Sequence, residues 1–149
     1  MSAVNITGDR PDRVSRHGSK ALLLKRVLKW PLAGVFIGGG ALHFLSTGVY
    51  MRLMPPYVPY HLQMVYASGA IESALGLLLL VPRTQRFAAW ALIPTLLAIF
   101  PANIYGATTA GTDHPAMPGV SVELAWLRLP LQFVLIAWAY WYTRREAQA

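Results

Sequence analysis

Four apolar runs divide the chain. Residues 31–50 carry no formal charge, residues 61–81 carry only Glu72, residues 87–106 carry none, and residues 124–142 carry only Arg128. A helix rises about 1.5 Å per residue, so about 20 apolar residues cross a hydrocarbon core about 30 Å thick. Each run has that length, and each is predicted to be a membrane-spanning helix. The breaks carry turn chemistry: Pro55, Pro56 and Pro59 in the first, Pro82 to Arg86 in the second. Gly111, Pro115, Pro118 and Gly119 mark the third, which is the longest. The expected class is therefore all-α, an integral membrane four-helix bundle. It has a basic segment over 1–29 expected to be irregular, a four-helix domain over 30–143 and a short tail over 144–149.

Composition agrees with this pattern and excludes a soluble domain. Of the 149 residues, 55% are hydrophobic and 13% charged, where soluble domains carry about 25% charged residues. The net charge of +7 would suggest nucleic acid if it lined a groove. Instead, seven of the 13 Lys and Arg residues fall within the first 30 positions, against the first apolar run. Anionic lipid headgroups are the partner that placement fits, and nucleic acid is not expected. The first run is as long as a full span and no small-residue cleavage site follows it, so it is read as an uncleaved helix. The chain has no cysteine, which excludes disulfides and thiolate metal ligands.

Charge also predicts orientation. The seven basic residues before the first span, Arg83 and Arg86 in the second break, and Arg144 and Arg145 in the tail make eleven on one side, against Arg52 alone on the other. The positive-inside rule then places both termini in the cytoplasm. Aromatic residues form two expected belts. Tyr50, Tyr57, Tyr60, Tyr105 and Trp126 lie near the outer ends, and Trp30, Phe87, Trp90, Trp141 and Tyr142 near the inner ends.

Small residues mark the faces on which helices can approach. Gly34 and Gly38, four apart, are followed by Gly39 and Gly40, and the second span offers Ser68, Gly69, Ser73 and Gly76. Bundle packing is the expected use, ahead of dimerisation or a cofactor groove. Pro94, Pro101 and Pro130 lie inside spans. Each frees a carbonyl one turn earlier, and the resulting kinks are compatible with a cavity or with none.

Ionisable residues within spans need partners. There are three, His43, Glu72 and Arg128, with Asn103 and Gln132 as uncharged companions. Helix rise places His43 about 10 Å, Glu72 about 16 Å and Arg128 about 6 Å below the outer face. A Glu72–Arg128 ion pair extended by the other three is expected, either as a registry clamp or as a site. In the second case His43 and Glu72 are the candidates for proton handling, and Arg128, Asn103, Gln132 and Trp126 for binding. No spacing suggests a metal or a bis-histidine haem.

Several motifs together resemble the DoxX-like family of small four-helix bacterial membrane proteins. They are His43-Phe44, Met54-Pro55-Pro56-Tyr57, Ser68-Gly69 with Glu72 and Gly76, Pro82-Arg83, Phe100-Pro101-Ala102-Asn103, and Trp126-Leu127-Arg128-Leu129-Pro130-Leu131-Gln132. The resemblance spans roughly residues 30–143. It implies a plasma-membrane protein linked to oxidoreductase systems, with quinone as a candidate cofactor. Thiol chemistry would need a partner subunit, because this chain has no cysteine. The alternative expectation is a non-catalytic scaffold or assembly protein, and homo-oligomers fit either reading. A transporter ranks lower, since no inverted repeat is visible.

Overall fold

The computed structural model describes residues 11–144, with side chains from Leu22 onward. It is all-α among the described residues, with five helices: α1 (Pro11–Leu45), α2 (Thr47–Leu53), α3 (His61–Leu80), α4 (Gln85–Thr108) and α5 (Val122–Thr143). Four stretches are long and apolar enough to cross a membrane: Leu22–Leu45, His61–Leu80, Gln85–Thr108 and Val122–Thr143. Only 17–33% of the most apolar part of each is buried inside the protein. The remainder, including Leu77, Phe87, Leu127 and Phe133, presents an apolar exterior, the reverse of a water-soluble bundle.

Two boundaries differ from expectation. The irregular segment expected over 1–29 is helical from Pro11, and residues 1–10 lie outside the described residues. Proline suits a first helical position because its missing donor would be unpaired there. The Ala21 to Lys29 stretch is rich in helix formers, so the span extends back through it. At its other end the first span stops at Leu45, short of residue 50. The Thr47 hydroxyl donates to the carbonyls of His43 (2.9 Å) and Phe44 (3.1 Å), competing with the backbone for them. The chain turns at Ser46 and restarts as the seven-residue α2.

α1 packs along α3, α3 along α4 and α4 along α5, while α1 meets α5 only lightly. The bundle has two unlike ends. At the basic end, Lys29 donates to the Leu80 carbonyl (3.1 Å), Arg86 to the Thr143 carbonyl (2.9 Å) and the Tyr142 hydroxyl to the Lys25 carbonyl (2.8 Å). The first two place a cation on the terminal carbonyls of α3 and α5, where the helix dipole favours it. Leu32, Phe36, Leu79, Leu92, Ala88, Ala89 and Ala139 form the adjoining core.

The opposite, loop end is capped differently. α2, the 109–121 loop and the start of α5 enclose a small cluster of Leu53, Ala116, Met117 and Ala125. Ser121 caps α5 by accepting from the Leu124 amide (3.3 Å). Tyr60, just before α3, sits in the left-handed region at φ 56°, a conformation unusual for a bulky residue. Pro55 is fully buried beneath these loops.

Candidate functional site

The α1–α3 seam is where the site begins. A Cβ on Gly40 would collide with the Ser73 hydroxyl and lie 2.5 Å from the Gly69 carbonyl. One on Gly69 would lie 2.6 Å from the His43 Cβ, and one on Gly76 2.8 Å from Ile37. The two backbones therefore touch with no side chain between them. Gly34 and Gly38 play no part in this; both face open space. The faces differ because a helix turns 100° per residue, so Gly39 and Gly40 sit on another side of α1 from Gly34 and Gly38.

This close approach sets His43 beside Glu72. A Cβ on Gly39 would stand 3.4 Å from Glu72 Oε2, so the glycine leaves room for the carboxyl group. His43 Nδ1 lies 2.9 Å from the Gly39 carbonyl. A carbonyl can only accept, so Nδ1 carries a proton and the ring is fixed. Its Nε2 then faces Glu72 Oε1 at 3.8 Å. Tyr50 of α2 stacks on the imidazole, with ring centroids 3.8 Å apart. Burial, and after it the nearby Glu72 carboxylate, push the Tyr50 phenol up, while Arg128 acts in the opposite direction.

The expected Glu72–Arg128 ion pair is not formed. Among the described residues the basic group within ion-pair distance of Glu72 is His43, 3.8 Å away and charged only when protonated. Arg128 Nη1 donates instead to the Met117 sulfur (2.7 Å), a weak acceptor carrying no charge. The physical reason is position. Glu72 is drawn toward the glycine face of α1, and Met117 from the loop-end cap meets the guanidinium first. Asn103 and Gln132 do associate. Asn103 Nδ2 donates to Gln132 Oε1 (2.6 Å), and Gln132 Nε2 donates to the Leu96 carbonyl. They form an α4–α5 clamp.

A cavity of about 700 Å³ joins these groups. His43, Glu72, Asn103, Arg128 and Gln132 all line it, together with Tyr50, Ser68 and Thr95. The rest of the wall is apolar and includes Phe36, Leu53, Pro55, Ile99 and Leu135. Pro94 and Pro101 line it too, whereas Pro130 does not. Val35, Met64, Ile71 and Leu131 both line the cavity and are exposed on the apolar exterior. The volume falls within the range of small-molecule sites, and a few convergent polar groups in an apolar wall are their usual make-up.

Five of the six sequence candidates are thus brought to one cavity. Trp126 is not: it is half-exposed on the outside of α5 and lines no part of it. Tyr50, Thr95 and Met117 went unrecognised as site neighbours. Tyr50 follows His43 by seven residues, a same-face spacing that could have flagged it. Met117 lies in a loop and carried no signal.

The chain belongs to the DUF8561 family, described as a domain of unknown function, whose model matches residues 32–143. No curated protein and no solved structure matches the chain.

Proposed function

For this member of DUF8561 we propose a membrane-embedded binding protein that takes a lipid-soluble small molecule by its polar head. The observation that carries the reading is the cavity of about 700 Å³ in which five polar side chains converge while exposed apolar residues form its rim. A ligand dissolved in the bilayer meets Val35, Met64, Ile71 and Leu131 before it meets charge. Its tail exchanges one apolar environment for another, and its head gains donors and acceptors that hydrocarbon lacks.

The finer reading has three parts. Both termini lie in the cytoplasm, supported by the basic residues gathered at one end. The protein resides in a bacterial plasma membrane, supported by the DoxX-like motifs. The ligand is a quinone and the chain a membrane subunit of an oxidoreductase system, supported by the same likeness and by the His43–Glu72 pair. That pair sets two titratable groups, Nε2 and Oε1, 3.8 Å apart beside a head group whose reduction consumes protons.

A scaffold is the second reading, favoured by the Asn103–Gln132 clamp and the glycine seam, which would serve packing alone.

The test is equilibrium binding of decylubiquinone to the chain in phosphatidylcholine nanodiscs, with empty discs subtracted. Saturable binding is expected, and Ala102→Trp, which fills the cavity, should abolish it without unfolding the bundle. Absence of binding above empty discs, or binding indifferent to Ala102→Trp, rejects the cavity as a site and leaves the scaffold.

A further inference from the structure

One cation in the cavity has no ion-pair partner among the described residues. Glu72 is met by His43, whose Nε2 lies 3.8 Å from Glu72 Oε1. Arg128 remains, permanently cationic. It has no carboxylate within ion-pair distance among the described residues, and its described contact is the uncharged Met117 sulfur. A guanidinium has five N–H donors in a planar fork, of which that contact engages one side. The group is half-buried and lines the cavity that also holds the polar ends of Asn103 and Gln132.

A cation held away from water gains most from an anion that arrives with the ligand. We infer that the cavity selects amphiphiles with a single negative charge at the head, a carboxylate above all, seated on Arg128 with the alkyl tail along the apolar wall. The inference rests on the proposed reading of the cavity as a ligand site, and it favours an anionic head over the neutral quinone as the occupant. One guanidinium fork matches one carboxylate through two parallel hydrogen bonds. A phosphomonoester would bring about 1.5 to 2 negative charges and leave part of them uncompensated.

The experiment compares tritiated oleate with tritiated oleyl alcohol, ligands alike in tail and different in head. Binding is measured on the full chain in phosphatidylcholine nanodiscs, at mildly alkaline pH where oleate is ionised, with empty discs subtracted. Oleate should bind about tenfold more tightly than the alcohol, the scale of a charged hydrogen bond. Arg128→Gln should bring the two within about twofold, and Arg128→Lys should keep part of the preference, because it keeps the charge and loses the fork. Equal binding of both ligands to the wild type overturns the charge selection and leaves the cavity reading standing. A preference that persists in an Arg128→Gln chain of unchanged melting temperature overturns the role of Arg128. Failure of oleate, oleyl alcohol and decylubiquinone alike to bind removes the site itself and this inference with it.

Discussion

The two ends of the bundle are built by different means. At the basic end, large side chains fill the space: Leu32, Phe36, Leu79 and Leu92 are all 2% exposed or less, and three side-chain-to-carbonyl bonds tie the helices across. At the loop end the helices are held by bare backbone contact at Gly40 and Gly69 and by the Asn103–Gln132 clamp, and the space between them is left as the cavity. Tight filling at one end allows the other to remain hollow. In a bilayer this division has a cause: lipid tails are as apolar as leucine, so helices are not driven together by hydrophobicity and must be held by packing or polar contacts.

The comparison breaks most visibly at the seam. Gly69→Leu places a branched side chain where even a Cβ would lie 2.6 Å from His43. We expect a loss of about 3 kcal/mol or more, read as collapse of the monodisperse peak in gel filtration. A well-folded Gly69→Leu protein would show that the two backbones are not in contact. A paired measurement sharpens the contrast. Leu92→Ala at the filled end should cost about 2 kcal/mol, the low end of core truncations because the lipid reference removes the transfer term. Leu131→Ala on the cavity rim should cost less than about 0.5 kcal/mol. Equal falls in melting temperature would mean that the ends are packed alike. The expected effect at the clamp is smaller than at Leu92: Gln132→Leu should lower stability by about 1 kcal/mol, the scale of interhelical hydrogen bonding in a membrane. No change in thermal unfolding would show that Asn103 finds another partner.

Much of this architecture was readable from the residues alone. Long uncharged runs and proline-rich breaks identified four apolar helices, because length and charge depletion act over many residues at once. Gly40, Gly69 and Gly76 were among the small residues singled out, but so were Gly34 and Gly38, which face outward. A four-residue repeat gives a face and says nothing of which face meets a neighbour. The convergence of His43, Glu72, Asn103, Arg128 and Gln132 on one region followed from their similar depths. Who pairs with whom did not. Depth is set by position along a helix, whereas the choice between His43 and Arg128 as partner of Glu72 turns on lateral approach, governed by Gly39 and by Met117 in a distant loop. The break at Ser46 was missed for a related reason. The hydropathy of Thr47 and Gly48 is unremarkable, but the Thr47 hydroxyl captures two carbonyls.

The orientation of the His43 ring has a consequence for any traffic of hydrogen ions. Its Nδ1 is bound to the Gly39 carbonyl, which is too weakly basic to take a proton from the ring. Exchange is confined to the single nitrogen that looks toward Glu72. The imidazole is thus a cul-de-sac: it can store an ion for an occupant of the chamber and return it by the same door, but it cannot hand it onward through the bundle.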